Sequence, residues 1–305
     1  MNPLPSTEIR GNWATVLASW NDDESLDLGR VENQIDALIS MGVDGVYCNG
    51  TAGEFHAQTE QEFDQISELL AEKCERAAVA FQIGVGHLSA QISLQRLQRA
   101  VQLRPAALQV ILPDWYPVTE EEAAVFLARM ADAADGIGLV LYNPPHAKVV
   151  LTPPQLSRLA KQTDGLVGVK VAGGDAAWYE AMQENFSRLS VFVAGHLLAS
   201  GVQRGAHGAY SNAACLNPAA AQRWTNQMAS DMTAALELEV RIRRFMEIYI
   251  MPFITRDGYC NGACDRLLVQ IGGWAEIGEN MRWPYKSIPA FHASRIRESA
   301  QALLP

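Results

Sequence analysis

The chain has 305 residues, 49% hydrophobic and 19% charged, which is ample for a sizeable core in one large domain or two small ones. A formal charge of −10 with no block of lysines or arginines argues against nucleic acid or an anionic membrane surface as partner. Met1–Asn12 has no signal-like apolar stretch, no run approaches membrane-spanning length, and five cysteines suit free thiols, so the expected location is cytoplasmic.

Taken in order, Trp13–Leu17 is a short apolar run, and a turn-rich Asn21–Glu24 follows it. Leu28–Met41 has apolar residues at helical spacing, with Gly42 as the residue that stops the helix. Val43–Cys48 reads as a strand, Asn49–Gly53 as a loop, and Thr59–Cys74 as a helix opened by the capping box Thr59/Glu62. The alternation then repeats. Strands are expected at Ala78–Ile83, Leu108–Leu112, Gly138–Tyr142, Leu166–Lys170, Val191–Ala194 and, weakly, Gly208–Tyr210. The intervening helices are Ser89–Val101, Thr119–Ala134, Thr152–Gln162, Asp175–Phe186 and one after Ala194. From about Pro218 onward the pattern is helical, with a turn around Thr255–Gly262.

Mostly apolar strands alternating with helices are the pattern of a parallel sheet covered on its faces. Eight such units in roughly 220 residues imply an α/β chain folded as a (β/α)8 TIM barrel. The boundaries expected are a barrel over residues 10–225 and a C-terminal helical region, 226–305, packed on it. An open doubly wound sheet would want a glycine-rich phosphate loop after its first strand, and Trp13–Asn21 has none.

In such barrels the active site lies at the C-terminal ends of the strands. Lys170 ends the sixth strand within Gly165–Asp175, embedded among valines, and lysine is among the residues least often buried. It either snorkels its ammonium into water or is a desolvated amine of lowered pKa, nucleophilic towards carbonyls. Tyr142 ends the adjacent fifth strand, which brings a phenol that can move protons close to the amine. Thr51 follows the second strand in Asn49–Glu54. Glycines at 50 and 53 let that loop approach a ligand, and its successive N–H groups suit a carboxylate.

The segments G-T-A-G-E (50–54), Y-N-P-P (142–145) and G-V-K-V-A-G-G-D (168–175) in this order resemble the family of dihydrodipicolinate synthase and N-acetylneuraminate lyase. The resemblance covers about residues 10–225 and implies a Schiff-base lyase on a (β/α)8 barrel. By it, Lys170 forms an imine with pyruvate or a related small 2-oxo acid, and Tyr142 shuttles protons. Thr51 bonds the tyrosine, and the backbone around Gly50, Thr51 and Ala52 binds the substrate carboxylate. The reaction is then aldol cleavage or condensation, or dehydration, with no metal and no organic cofactor. A homodimer or homotetramer is implied.

The departures bear on the substrate. Ala52 stands where the family has a second hydroxyl residue. Ala147, with Lys148 beside it, stands where the synthases carry a carboxylate-binding arginine, and lysine lacks the two-pronged geometry of arginine. Pro113–Pro117 is closer to the sialic acid lyase pattern, yet Gly195 is followed by His196, Leu197 and Leu198 in place of acidic residues for sugar hydroxyls. His196, Tyr210, Trp115 and Lys148 are therefore candidates for substrate binding. His56 and His146 could face the barrel mouth or be ordinary surface histidines. Trp115 and Tyr116 suit either a pocket or a subunit interface.

Glu54 is expected to cap or pair locally, and Glu120–Glu122 to be a solvated first helical turn. Cys260 and Cys264 make a weak metal signal with no further ligands. The rival readings are a true 4-hydroxy-tetrahydrodipicolinate synthase, a non-catalytic barrel that binds a 2-oxo acid, and a pyridoxal-phosphate barrel enzyme. The last would need a phosphate cradle.

Overall fold

A computed structural model describes residues 2–301 and 303. Eight parallel strands close on themselves in sequence order: β1 (Gly11–Thr15), β2 (Gly45–Cys48), β3 (Ala80–Gly84), β4 (Ala107–Val110), β5 (Leu139–Tyr142), β6 (Leu166–Lys170), β7 (Ser190–Ala194) and β8 (Gly208–Tyr210). Between them run α1 (Leu28–Ser40), α2 (Glu60–Ala77), α3 (Ala90–Ala100), α4 (Glu120–Ala133), α5 (Pro153–Gln162), α6 (Ala176–Ala181), α7 (Gln183–Phe186) and α8 (Leu198–Gln203). The chain is thus a (β/α)8 barrel, as its alternating pattern predicts.

Local chemistry explains where the helices begin. Thr59/Glu62 and Thr119/Glu122 each form a reciprocal capping box, and at the start of α5 the Thr152 N–H and hydroxyl both donate to Gln155 Oε1. Glu120–Glu122 occupies the first turn of α4, and Gly42 takes a left-handed φ of +70° just past α1.

Two apolar layers result. The larger lies between strands and helices, with Val46, Ile83, Leu108 and Val169 facing Phe63, Leu97 and Leu156. The smaller fills the barrel, where Trp13, Tyr47, Val140, Phe192 and Tyr210 meet. Trp13 packs edge-on against Phe192 and Tyr210, with ring centres 6.2 and 6.1 Å apart.

Several elements differ from expectation. β1 is Gly11–Thr15, two residues earlier than the apolar run, because barrel closure pairs Gly11, Asn12 and Trp13 with Gly208, Ala209 and Tyr210. β3 and β4 are offset from their expected limits by one or two residues. The helix expected over Asp175–Phe186 breaks at Met182 into α6 and α7.

After β8 come α9 (Asn212–Leu216), α10 (Pro218–Gln227), α11 (Met232–Phe245), α12 (Met251–Thr255), α13 (Asn261–Gly272) and α14 (Phe291–Gln301). Met246–Ile250 is a π-turn between α11 and α12. Pro252 lacks the N–H that a regular helix needs there, so the widened turn absorbs the missing bond. α13 packs on α9 and α14, and its Leu267, Leu268 and Ile271 belong to the same apolar layer as the barrel helices. Among the described residues no helix is long and apolar enough to cross a membrane.

Candidate active site

Strand register sets the centre of the site. Tyr142 is the partner of Lys170 across β5 and β6, and Phe192 is its partner across β6 and β7. Paired residues on parallel strands project to the same face, here the barrel interior. The Lys170 ammonium lies 4.2 Å from the ring centre of Tyr142, 5.1 Å from that of Tyr210 and 5.5 Å from that of Tyr47. Ring faces attract a cation, but they replace its water shell poorly. Burial therefore pulls Lys170 down to about 8, against the weaker opposing charges of Asp265 and Cys215. Such a lysine supplies neutral amine near physiological pH.

Tyr142 accepts or donates a hydrogen bond with Thr51, and burial holds its phenol above the ordinary range despite that bond. Tyr47 is likewise pushed up by burial, and its hydroxyl meets Thr15. The Tyr210 hydroxyl donates to Gln82 Oε1 at 2.6 Å, so this tyrosine forms the floor beneath the lysine with its polar end already occupied.

The loop after β2 is held from below and from the C-terminal helices. Asn49 and Glu54 both adopt positive φ, 54° and 55°, a conformation that non-glycine residues hold only when the surroundings enforce it. Asn49 donates to Ser67 Oγ, and Gln58 donates to Asn49 Oδ1 and to the Gly53 carbonyl. Glu54 is fully buried. It accepts from Trp20 Nε1 at 3.1 Å, from Arg266 at 2.9 Å and from the backbone N–H of Arg282 at 3.0 Å. Its partner Arg266 lies 212 residues away, so the expectation of a local pair is corrected to a long-range lock.

The glycines of the loop serve the protein's own packing. A Cβ at Gly50 would lie 2.9 Å from the Tyr47 ring, and one at Gly53 would lie 3.0 Å from the Val16 carbonyl oxygen. The Thr51 and Ala52 N–H groups have no acceptor among the described residues.

A cavity of about 570 Å³, counting its open mouth, adjoins Thr51 and Tyr142. Phe55, Leu88, Ile111, Pro144, Ala147 and Val149 give it a largely apolar wall, with Asp114 and His146 as its polar corner. Burial lowers the His146 imidazole, and nearby Asp114 opposes that shift.

The other substrate-binding candidates do not line this cavity. Trp115 is 78% exposed and outside the cavity wall. Lys148 donates from Nζ to the Trp115 carbonyl at 2.5 Å and lies over the Trp115 ring, so its charge is spent on the neighbouring loop and does not enter the cavity. His196 is tied to Asn212 through its backbone N–H and through Nδ1, and its electrostatic neighbours are Arg243 and Glu239 on α11. His56 stacks edge-on against Tyr285.

Three residues had no prominence in the sequence. Gln82 and Gln109 are buried on β3 and β4, and Gln82 Nε2 and Gln109 Oε1 have no partner among the described residues. Polar residues interrupting apolar strands were the available signal for both. Asp265, on α13, is felt electrostatically at Lys170, Tyr142 and Tyr47. Nothing in the local sequence marks it, because its relation to the lysine exists only once α13 is docked. Among the described residues no three His, Cys, Asp or Glu side chains converge as a metal site.

A model of the dihydrodipicolinate synthetase family matches residues 8–256. The N-acetylneuraminate lyase of Escherichia fergusonii is 28% identical over 205 residues, spanning 67% of this chain and 68% of that protein. Among solved structures, YagE, a prophage protein of the dihydrodipicolinic acid synthase family from E. coli K12 in complex with pyruvate, superposes with a TM-score of 0.84. It is 20% identical, with 97% of this chain and 99% of that one covered. The N-acetylneuraminate lyase of Fusobacterium nucleatum gives a TM-score of 0.83 at 19% identity over 98% and 100% of the two chains. At those identities the two structures speak to the fold.

Proposed function

The chain belongs to the dihydrodipicolinate synthetase family of lyases, and from that premise we propose that it forms a Schiff base between Lys170 and a small 2-oxo acid of the pyruvate type. The observation that carries this reading is a strand-end lysine lowered to about 8 among three tyrosine rings, beside a Tyr142–Thr51 hydrogen bond. The neutral amine attacks the ketone carbon, and the resulting carbinolamine loses water to give an iminium. The iminium withdraws electrons from the adjacent carbon, so a C–C or C–O bond one atom further out breaks or forms through the enamine. Tyr142 moves the protons, with Thr51 holding its hydroxyl in place. The open N–H groups of Thr51 and Ala52 receive the substrate carboxylate.

The cavity narrows the second reactant. Its wall is mainly apolar, its one charged lining residue is Asp114, and Ala147 offers no cation for a second carboxylate. An uncharged aldehyde with an apolar body fits this wall better than a dicarboxylate or a polyol, whose polar groups would go unpaired. This favours an aldolase or hydratase of aldehyde-derived 2-oxo acids over a true 4-hydroxy-tetrahydrodipicolinate synthase.

The test is intact-mass spectrometry after incubation with pyruvate and borohydride, run beside Lys170→Ala. One stable adduct in the parent protein and none in the variant is the expected result. An equal adduct in both, or none in either with pyruvate and with a 3-deoxy-2-oxo acid, overturns the reading.

A further inference from the structure

The Schiff-base reading gives Asp265, an ionisable side chain of α13, no role, and the role assigned to it rests on that reading. Gly262, in the first turn of α13, sits directly on the catalytic loop: a Cβ there would lie 3.2 Å from the Thr51 carbonyl oxygen and 4.0 Å from Ala52 Cα. Asp265 comes three residues later, on the same side of the helix. Gly262–Cys264 and Arg266–Val269 are all buried, and Asp265 alone between them keeps some exposure. Like Lys170, Asp265 is thus half-buried and not sealed in the packed core.

Arg266 cannot neutralise it, because that guanidinium is committed to Glu54 and to the carbonyls of Ala18 and Ile277. Burial and the Lys170 charge are what act on the Asp265 carboxyl, with no hydrogen bond among the causes. A half-buried carboxylate left without a close partner is costly unless some other positive charge balances it.

We propose that Asp265, delivered from outside the barrel by α13, is the counter-ion of the lysine site and stabilises the iminium that forms on Lys170. The charge balance of the reaction fits this role. An ammonium and a ketone give an iminium and water: the N–C bond forms, the carbonyl oxygen takes two protons from nitrogen, and the C–O bond breaks. Positive charge is conserved at the nitrogen, so one carboxylate balances both ends of the step.

The other groups facing this pair are Tyr47, Tyr142 and Tyr210 from the strands, Cys215 from α9, Cys264 from α13 and His146 from the loop after β5. Burial pushes the phenols and thiols up and the imidazole down. All of them are neutral around pH 7 to 8, where Lys170 and Asp265 carry charge. Asp265 is itself raised by burial to about 7, with Lys170 acting in the opposite direction.

Asp265 is thus a positioning residue of electrostatic kind, and its test needs more than lost activity. Competitive labelling with acetic anhydride reads the protonation of Lys170 without any substrate. The half-labelling pH should fall by about one unit in Asp265→Asn and in Asp265→Ser, and return in Asp265→Glu. Borohydride trapping of pyruvate should drop about tenfold in Asp265→Asn at the alkaline end of the profile and less than twofold at the acid end.

An unchanged half-labelling pH in either folded variant overturns the charge pairing, as does a loss of trapping uniform across pH. If the parent protein labels as expected but traps no 2-oxo acid, the Schiff-base reading fails and the iminium role of Asp265 fails with it, while the pairing with Lys170 stands.

Discussion

At the scale of single residues, the proposed chemistry turns on an amine whose surroundings favour its neutral form. Lys170 titrates near 8 in the folded chain against about 10.5 when unfolded. Below pH 8 both states hold the proton and the native state bears the full cost of burying the charge. Above about 10.5 neither state holds it, so stability rises with pH between the two values, where the unfolded chain binds more protons. Lys170→Met should therefore be more stable than the parent at pH 6 by about 1–3 kcal/mol in urea melts, the gap closing towards pH 10. At pH 6 Asp265 is largely protonated, so removing the lysine strands no charge. A gap that persists unchanged at pH 10 contradicts a buried ammonium. Tyr142→Phe removes the one phenol bonded to Thr51, and turnover should fall about 10²–10⁴-fold with the melting temperature nearly unchanged. Thr51→Val keeps the phenol and loses only its partner, so the loss in turnover should be smaller than in Tyr142→Phe.

The loop after β2 is the element on which geometry depends most. It carries two residues at positive φ and is pinned through Glu54 to Trp20, Arg266 and Arg282. Glu54→Gln leaves the Arg266 guanidinium buried without its counter-charge, which should cost about 3–5 kcal/mol of unfolding free energy. The same variant should bind 2-oxo acid more weakly, read as a raised KM, because the Thr51 and Ala52 N–H groups lose their fixed aim. Wild-type stability in Glu54→Gln would contradict the lock. Gly84 gives a second handle on the loop: a Cβ there would lie 2.3 Å from the Asn49 carbonyl oxygen. Gly84→Ala should disturb the loop by steric contact alone and leave the electrostatics of Lys170 in place. Its half-labelling pH should stay at the parent value while its trapping rate falls.

On the scale of the whole molecule, the helices after β8 brace the loop that carries Thr51. Arg266 joins α13 to the loop after β2, Gly262 seats α13 on Thr51 and Ala52, and Trp274 Nε1 donates to the Cys215 carbonyl of α9. Truncation before α13 would expose Cys215, Leu216 and Ala213 and strand Glu54 in the interior. We expect that chain to be insoluble or to lack a cooperative melt. A truncated barrel that melts cooperatively and still traps pyruvate would show that the C-terminal helices are dispensable.

Much of this was legible in the chain itself. Alternating apolar strands and capped helices specify the barrel, because periodicity and caps are local properties, and Thr59, Thr119 and Thr152 each open a helix as their sequences require. Lys170 and Tyr142 were readable as neighbours because consecutive parallel strands pair in register. What the sequence could not determine depends on contacts between distant segments. The docking of α13 brings Asp265, an unremarked helical residue, within electrostatic reach of Lys170, and makes Arg266 the partner of Glu54. The loop conformations after β4 and β5 likewise decide that Lys148 bonds the Trp115 carbonyl and that the cavity wall is apolar. Strand and helix propensities act over a few residues, whereas burial and Coulomb forces act between whatever side chains the closed barrel brings together, and only the tertiary structure makes that choice.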